Sequence, residues 1–147
     1  MSTGKKARQL FGDCGGGGEL EDQLKHRCRE YGIADKVIFM GRRNDVNKIM
    51  MGMDVFLFPS LFEGLGIVVI EAQATGLPCV ISEKVPAPDL IGMVTRVCLS
   101  DDNSIWVKSL LESKPFDRVK AKGMIIEGGY DIAHEALKLQ KFYLERR

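Results

Sequence analysis

The stretch from Asp54 to Thr75 constrains this chain more than any other part of it. An apolar run, Asp54-Val55-Phe56-Leu57-Phe58, leads through Pro59-Ser60-Leu61-Phe62-Glu63-Gly64-Leu65-Gly66 into a second run, Ile67-Val68-Val69-Ile70-Glu71-Ala72. The first run has the length and bulky residues of a buried strand, and the second, from about Gly66 to Thr75, has those of a helix. Strand, glycine turn and helix in this order present a helix N-terminus at the turn. Gly64 and Gly66 carry no Cβ, so the backbone there is free to take positive φ and to come close to a ligand. The first N–H groups of the helix have no partner inside it, and a phosphate would satisfy them. One charge at such a terminus gains about 0.3–1 kcal/mol from the helix dipole.

Two glutamates frame the turn. Glu71 lies about one turn inside the helix, and helical side chains lean toward the N-terminus, so its carboxylate is expected to point back and accept hydroxyl hydrogen bonds from a ribose. Its neighbours Ile67, Val68, Val69, Ile70, Ala72 and Ala74 leave no continuous polar face. The helix is therefore expected to be buried on most sides, where an unpaired carboxylate would be costly. Glu63 lies in the turn itself, in reach of whatever is attached beyond the phosphates, to bind sugar hydroxyls or steady developing positive charge. A loop glutamate is also the ordinary solvated surface residue, so residue type alone leaves both readings open.

Phe62-Glu63-Gly64-Leu65-Gly66-Ile67, continued by Glu71-Ala72-Gln73-Ala74-Thr75-Gly76-Leu77-Pro78-Cys79-Val80, resembles the donor-site signature of retaining nucleotide-sugar glycosyltransferases with the GT-B fold, the family-four group. Both glutamates, the glycine loop, the small-residue helix and the Gly-x-Pro turn carry the resemblance. Gly32 to Gly41, Asn44-Asp45-Val46 and Met53 to Ser60 follow the same family's order. The resemblance runs from about Glu19 to the C-terminus and points to transferases that assemble bacterial capsule, exopolysaccharide or related surface glycans.

It implies an α/β fold, a Rossmann-like parallel sheet flanked by helices, forming the C-terminal half of a GT-B fold. It implies that Glu71 binds the ribose, that the backbone of Gly64, Leu65, Gly66 and Ile67 holds the diphosphate and donor sugar, and that Glu63 contacts sugar hydroxyls as the candidate catalytic residue. Met40, Gly41 and Arg42 would lie near the base. Arg42 and Arg43 are candidate base or phosphate contacts, although adjacent arginines at a strand end also read as plain surface charges. The implied activity is hexosyl transfer from a nucleotide sugar, expected to be a UDP-sugar, with retention of configuration, for cell-surface polysaccharide synthesis. The nucleotide sugar is the substrate, and neither a cofactor nor a metal is expected.

The chain also departs from that family's pattern. A complete transferase is more than twice as long and has an N-terminal acceptor domain with the family's catalytic histidine, to which nothing here can be matched. Its second domain opens with a strand and a glycine and basic loop, and the residues before Gly12 are too few for that strand, a helix and the next strand. The first strand is therefore expected to be missing, although it is central in the sheet. Residues 1–18 read as a degraded or atypical segment. There Gly12-Asp13-Cys14-Gly15-Gly16-Gly17-Gly18-Glu19-Leu20 resembles the family's Gly-Asp-Gly-Glu-Leu turn with extra glycines, after a strand that has lost its aliphatic run to Lys, Arg and Gln. Residues 19–147 read as a partial nucleotide-sugar-binding domain. Such a chain is expected to be inactive alone and to need a separate N-terminal acceptor domain. The alternative is a noncatalytic remnant or interaction module, from a truncated gene, a gene fragment or an imperfect reading frame.

Several other functions are excluded. The glycines at 15–18 do not make Gly-x-Gly-x-x-Gly, because Leu20 and Glu21 stand where the third glycine would be, and arginines rather than an acid end the next strand. No Gly-Lys-Ser or Gly-Lys-Thr follows them, so a P-loop is absent from the sequence. A net charge of +1 with dispersed basic residues argues against nucleic acid as a partner. Cys14, Cys28, Cys79 and Cys98 form no Cys-x-x-Cys pair, and His26 and His134 have no partner at ligand or triad spacing. No apolar run approaches the roughly 20 residues of a membrane span. A cytoplasmic protein is expected, peripheral at the inner face of the membrane only through the missing domain.

With 147 residues, 45% of them hydrophobic, the chain has the length for one α/β domain with a core. The pattern predicts a helix over 19–31 with Leu20 and Leu24 inward, strands over 36–40, 55–58, 79–82 and 95–99, and a short helix from 44 or 45 to 51. Val85-Pro86-Ala87-Pro88 reads as a rigid loop, and Ser100 to Asn103 as caps for a helix carrying Trp106. Two final helices are expected over 116–127 and 131–146, with Ile132, Ala136, Leu139 and Phe142 exposed. Met50, Met51 and Met53 read as core.

Overall fold

The computed structural model describes residues 9–11 and 19–145. The chain divides after Val46 into two compact units. The first holds β1 (Gln9–Phe11), α1 (Glu19–Glu30), a short 3-10 turn (Ala34–Lys36) and β2 (Val37–Phe39). β1 and β2 are parallel, with Leu10 opposite Ile38. Of the segment expected to be degraded, Gln9–Phe11 thus forms a strand, while residues 1–8 and 12–18 lie outside the described residues.

α1 stops at Gly32, whose φ of 63° takes the left-handed position that closes a helix. The Ile33 N–H donates to Cys28 O at 2.9 Å and the Gly32 N–H to Arg29 O at 3.0 Å, which satisfies the last carbonyls. The expectation that Leu20 and Leu24 point inward is overturned, because they are 73% and 53% exposed. The covered stripe is Glu21, Lys25 and Cys28, spaced as one helical face. Lys25 lies on that stripe, its ammonium 5.5 Å from the centre of the Phe39 ring and 2.6 Å from Glu21 Oε1.

The second unit is built around a three-stranded parallel sheet in the order β3 (Phe56–Phe58), β4 (Cys79–Ser82), β5 (Val94–Val97). Leu57 pairs with Val80, and Val80 with Thr95. All four residues of β4 are buried, as a strand between two neighbours requires. β1 and β3 each hydrogen-bond to a single strand among the described residues.

α3 (Ile67–Ala74) packs on β3 and β4, and α5 (Arg118–Glu127) packs on α3 through Ala121 and Ile125. Gly76 at the end of α3 has φ 69°, and a Cβ there would sit 3.0 Å from both Arg118 Cγ and Phe116 O, so only glycine lets the start of α5 come this close. Asp117 caps α5 by accepting from Val119 N and Lys120 N at 2.9 and 3.2 Å, which is why the helix begins later than the pattern predicts. α4 (Asn103–Glu112) lies against β4 and β5, capped by Asp102, which accepts from Ser104 N at 2.8 Å. Asp101, also read as a cap, instead accepts from Cys98 N at 3.2 Å.

The short α2 (Val46–Met50) buries Met50. Met51 is exposed and Met53 half-buried, so the expectation of three core methionines holds for the first alone, the turn at 51–54 leaving the helix axis. α6 (Ile132–Glu145) has no buried residue, and Ile132, Ala136, Leu139 and Phe142 are exposed.

Cys79, at the centre of the sheet, is buried, and desolvation together with the nearby charge of Asp89 pushes its thiol up to about 12. Cys28 and Cys98 are half-buried. Iodoacetamide at about pH 8, where exposed thiols are partly ionised, is expected to alkylate Cys28 and Cys98 in the native chain and to spare Cys79. Peptide mass spectrometry reads the three sites. Equal modification of Cys79 would mean that β4 is not the closed centre of the sheet.

Candidate functional site

The site begins where β3 ends. Phe56 and Phe58 stack along one face of the strand, with ring centres 5.6 Å apart. The chain then leaves the sheet at Pro59 and Ser60. The Ser60 hydroxyl lies 3.0 Å from Glu63 Oε1 and 3.1 Å from Phe62 O, so one proton is shared between a carboxylate and a carbonyl. This holds the half-buried Glu63 across the base of the turn. Leu61 and Phe62 face solvent, Phe62 being 86% exposed.

Gly66 joins the turn to α3 with φ 67° and ψ 44°, the left-handed conformation. A Cβ there would lie 2.9 Å from Val85 Cγ1 and 3.1 Å from Ala87 Cβ. Conformation and space both require glycine. The helical hydrogen bonds begin at Val69, whose N–H donates to Gly66 O at 2.9 Å. The amides of Ile67 and Val68 precede that bond and have no acceptor among the described residues, so the positive end of α3 faces outward at the turn.

α3 buries Val69, Ile70, Ala72 and Gln73. Ile67, Glu71 and Ala74 form an open stripe, spaced four and three residues apart. The expectation of a helix buried on most sides is thus corrected: no element among the described residues of the unit covers this stripe, and Glu71 is exposed to solvent. The residue on which burial forces hydrogen bonding is Gln73. Its side chain donates to Pro88 O at 2.8 Å and Val69 O at 3.3 Å and accepts from Leu90 N at 2.7 Å. The sequence reading missed both Gln73 and Ser60. An uncharged amide four residues after Val69, on a face otherwise apolar, was the signal available for Gln73.

The second group of candidates lies in the first unit, at the end of β2. Met40 and Gly41 are half-buried and Arg42 is exposed. Gly41 turns the chain with φ 59°. The adjacent arginines, alike in sequence, differ in structure. Arg43 is forked onto Asp45 through contacts of 2.7 and 2.8 Å, which hold the Asp45 carboxyl below its ordinary value. Arg42 is exposed and has no partner among the described residues.

Glu63 to Glu71 come together on one turn and one helix, while Met40, Gly41 and Arg42 stand on the other unit; each group follows the carboxyl end of a parallel strand, where open α/β sheets bind ligands. Among the described residues no group of His, Cys, Asp and Glu has the arrangement to hold a metal ion. No helix there is long and apolar enough to cross a membrane. His26 lies 3.3 Å from Glu30 on α1, and His134 lies 2.6 Å from Asp131 at the start of α6.

A parallel α/β sheet with a glycine turn opening a helix is an arrangement in which open α/β folds can receive an anionic ligand. The particular family follows from the sequence: residues 10–105 match Glycosyl transferases group 1, and the chain belongs to that family. EpsF of Bacillus subtilis (strain 168), named as a glycosyltransferase, is 36% identical over 135 residues, which cover 87% of this chain and 35% of EpsF. The UDP-Gal:alpha-D-GlcNAc-diphosphoundecaprenol alpha-1,3-galactosyltransferase of Escherichia coli is 41% identical over 68 residues, 46% of this chain and 18% of that enzyme. The chain therefore spans about a third or less of the length of these relatives.

Among solved structures, sucrose-phosphate synthase from Thermosynechococcus elongatus superposes with a TM-score of 0.67 at 20% identity, over 94% of this chain and 38% of that one. HepE of Anabaena, solved in complex with UDP-glucose, superposes with a TM-score of 0.55 at 20% identity, over 76% and 37%. These likenesses show the fold, the parallel sheet and flanking helices of GT-B enzymes.

Alanine at Gly66 would carry the left-handed strain of about 1–2 kcal/mol and the clash with Val85 and Ala87, whereas a Cβ at Gly64 meets nothing within 4 Å. Gly66→Ala is expected to lose about 2 kcal/mol or more in urea unfolding, and Gly64→Ala to stay within about 0.5 kcal/mol. Equal midpoints for the two variants would rule out the packed left-handed turn.

Proposed function

We propose that this chain is the donor-binding part of a retaining glycosyltransferase of cell-surface polysaccharide synthesis and takes a UDP-sugar. The observation that carries the reading is the outward-facing start of α3, with the free amides of Ile67 and Val68 behind the left-handed Gly66. The backbone of Gly64, Leu65, Gly66 and Ile67 receives the diphosphate, and the open Glu71 carboxylate accepts the ribose hydroxyls. Glu63, steadied by Ser60, accepts hydroxyls of the donor sugar and faces the positive charge that develops as the sugar–phosphate bond breaks. The leaving diphosphate gains negative charge in the same step, and preorganised N–H groups stabilise it there. Met40, Gly41 and Arg42 serve the base end of the nucleotide. The galactosyltransferase relative, whose name specifies a UDP-Gal donor, and HepE, solved with UDP-glucose, support the choice of nucleotide.

Transfer itself also needs an acceptor-binding half. The exposed apolar residues of α6, Ile132 at 83% among them, offer a surface for such a domain. The chain alone is then inactive, and the reading puts it on the cytoplasmic side of the membrane, with lipid contact left to the acceptor domain. The same apolar surface supports the second reading, a noncatalytic interaction module that keeps the fold without turnover.

Amide NMR of the chain titrated with UDP and then UDP-glucose tests the proposal, with shifts expected over residues 63–71. Glu71→Ala is expected to weaken both ligands about tenfold or more, the value of about 1.5–3 kcal/mol for hydrogen bonds to a charged group. Glu63→Ala should weaken UDP-glucose and leave UDP unchanged. If wild type binds UDP and UDP-glucose equally well, Glu63 does not have the role given to it. A dispersed spectrum that neither ligand perturbs would sink the donor-site reading.

A further inference from the structure

The loop between β4 and β5 is tied down at several points, and each tie reaches a different part of the second unit. Val85 and Ala87, both buried, lie over Gly66 at the distances that exclude a side chain there. The Arg96 guanidinium donates to Ala87 O, and Leu90 Cδ2 sits 3.1 Å from where a Cβ on Gly128 would be. Between these ties is Gln73, fully buried, with both ends of its carboxamide bonded to backbone. Nothing in the donor-site reading uses it.

The geometry points to Gln73 as a positioning residue for the donor turn: its carboxamide holds Pro88 and Leu90, so that Val85 and Ala87 form the ceiling against which Gly66 keeps its left-handed turn and aims the amides of Ile67 and Val68. The inference rests on the reading of that turn as the diphosphate site. The side chain's chemistry is specific. One group must donate to a carbonyl and another must accept from an N–H at the same time, which a carboxamide does. A glutamate keeps the acceptor for Leu90 and loses the donor to Pro88. A methionine fills the volume and leaves both backbone groups bare. Pro86 and Asp89 of this loop are exposed, so the freed groups can reach water if the loop lifts, and Gly66 then has no ceiling. The first loss is order in the turn, ahead of any loss of the sheet.

Amide exchange and UDP titration of the full chain test this, with wild type, Gln73→Met, Gln73→Glu and Val97→Ala compared. Val97 is buried in β5, and its variant controls for lost stability. Gln73→Met is expected to speed exchange at Leu90 and Val69 about tenfold or more while Val80 to Ser82 stay protected. It is also expected to weaken UDP about tenfold, with Gln73→Glu between it and wild type. Val97→Ala should lower Tm comparably and leave UDP affinity within about twofold. Should Gln73→Met not fold, Ala87→Gly removes the ceiling methyl without touching the amide and is expected to loosen Val69 in the same way. Wild-type exchange at Val69 in the variant that folds, or an equal UDP loss in the Val97→Ala control, overturns the inference. If wild type does not bind UDP but Val69 still loosens, the positioning stands and the donor-site reading fails.

Discussion

Everything after β3 depends on the chain turning back at Gly66 in a conformation that side-chain-bearing residues rarely adopt, beneath two residues that leave no room for a Cβ. The turn sets where α3 starts, and through α3 it sets which residues meet the sheet and which face water. Val69, Ile70, Ala72 and Gln73 go inward, and Ile67, Glu71 and Ala74 stay outside. A second left-handed glycine, Gly76, closes the other end of the helix and brings α5 against it. An eight-residue helix is too short to hold itself in water, so this helix exists because its two ends and its inner face are fixed by tertiary contacts.

The same logic separates structural from available charge in the candidate site. Arg43 and Asp45 neutralise each other in a fork at the surface, a contact that is worth little for stability but fixes the arginine's direction. Arg42, beside it, is left without a counterion among the described residues. Glu63 is held by a hydroxyl and Glu71 stands open, so one carboxylate is oriented in advance and the other is free to adjust. The chain belongs to Glycosyl transferases group 1, and under the function proposed above these differences decide which side chains in each unit are open to a ligand.

Much of this was legible in the sequence. The glycines at 66 and 76 and the apolar runs around them mark the strand–turn–helix unit, whereas Gly64, read in the same way, has neither positive φ nor a neighbour within 4 Å of where a Cβ would be; β4 falls on the residues that its apolar run predicts, Cys79–Ser82. What was not legible depends on which partner a face meets. Leu20 and Leu24 looked like the inner face of α1 because apolar spacing is the usual guide, but both are exposed, and the half-buried face is that of Glu21, Lys25 and Cys28, with the Lys25 ammonium over Phe39. Glu71 looked buried because its neighbours are apolar, yet periodicity cannot say whether a second element covers the outer stripe. Gln73 was passed over because a glutamine in a helix normally points to solvent. Its partners, Pro88 and Leu90, lie 15 and 17 residues away in a loop whose path no local pattern reveals.

The clamp on the turn also has a consequence for how the site responds to its surroundings. A carboxamide and a glycine carry no proton that dissociates near neutrality, so this part of the frame has no titration of its own. The bonds of Gln73 to Pro88 and Leu90 join uncharged groups, so salt screens them less than it screens ion pairs at the surface, while the Arg96 guanidinium that also holds the loop is charged. Under the function proposed above, acidity and ionic strength reach the site through its charged groups, and the carboxamide of Gln73 answers to neither.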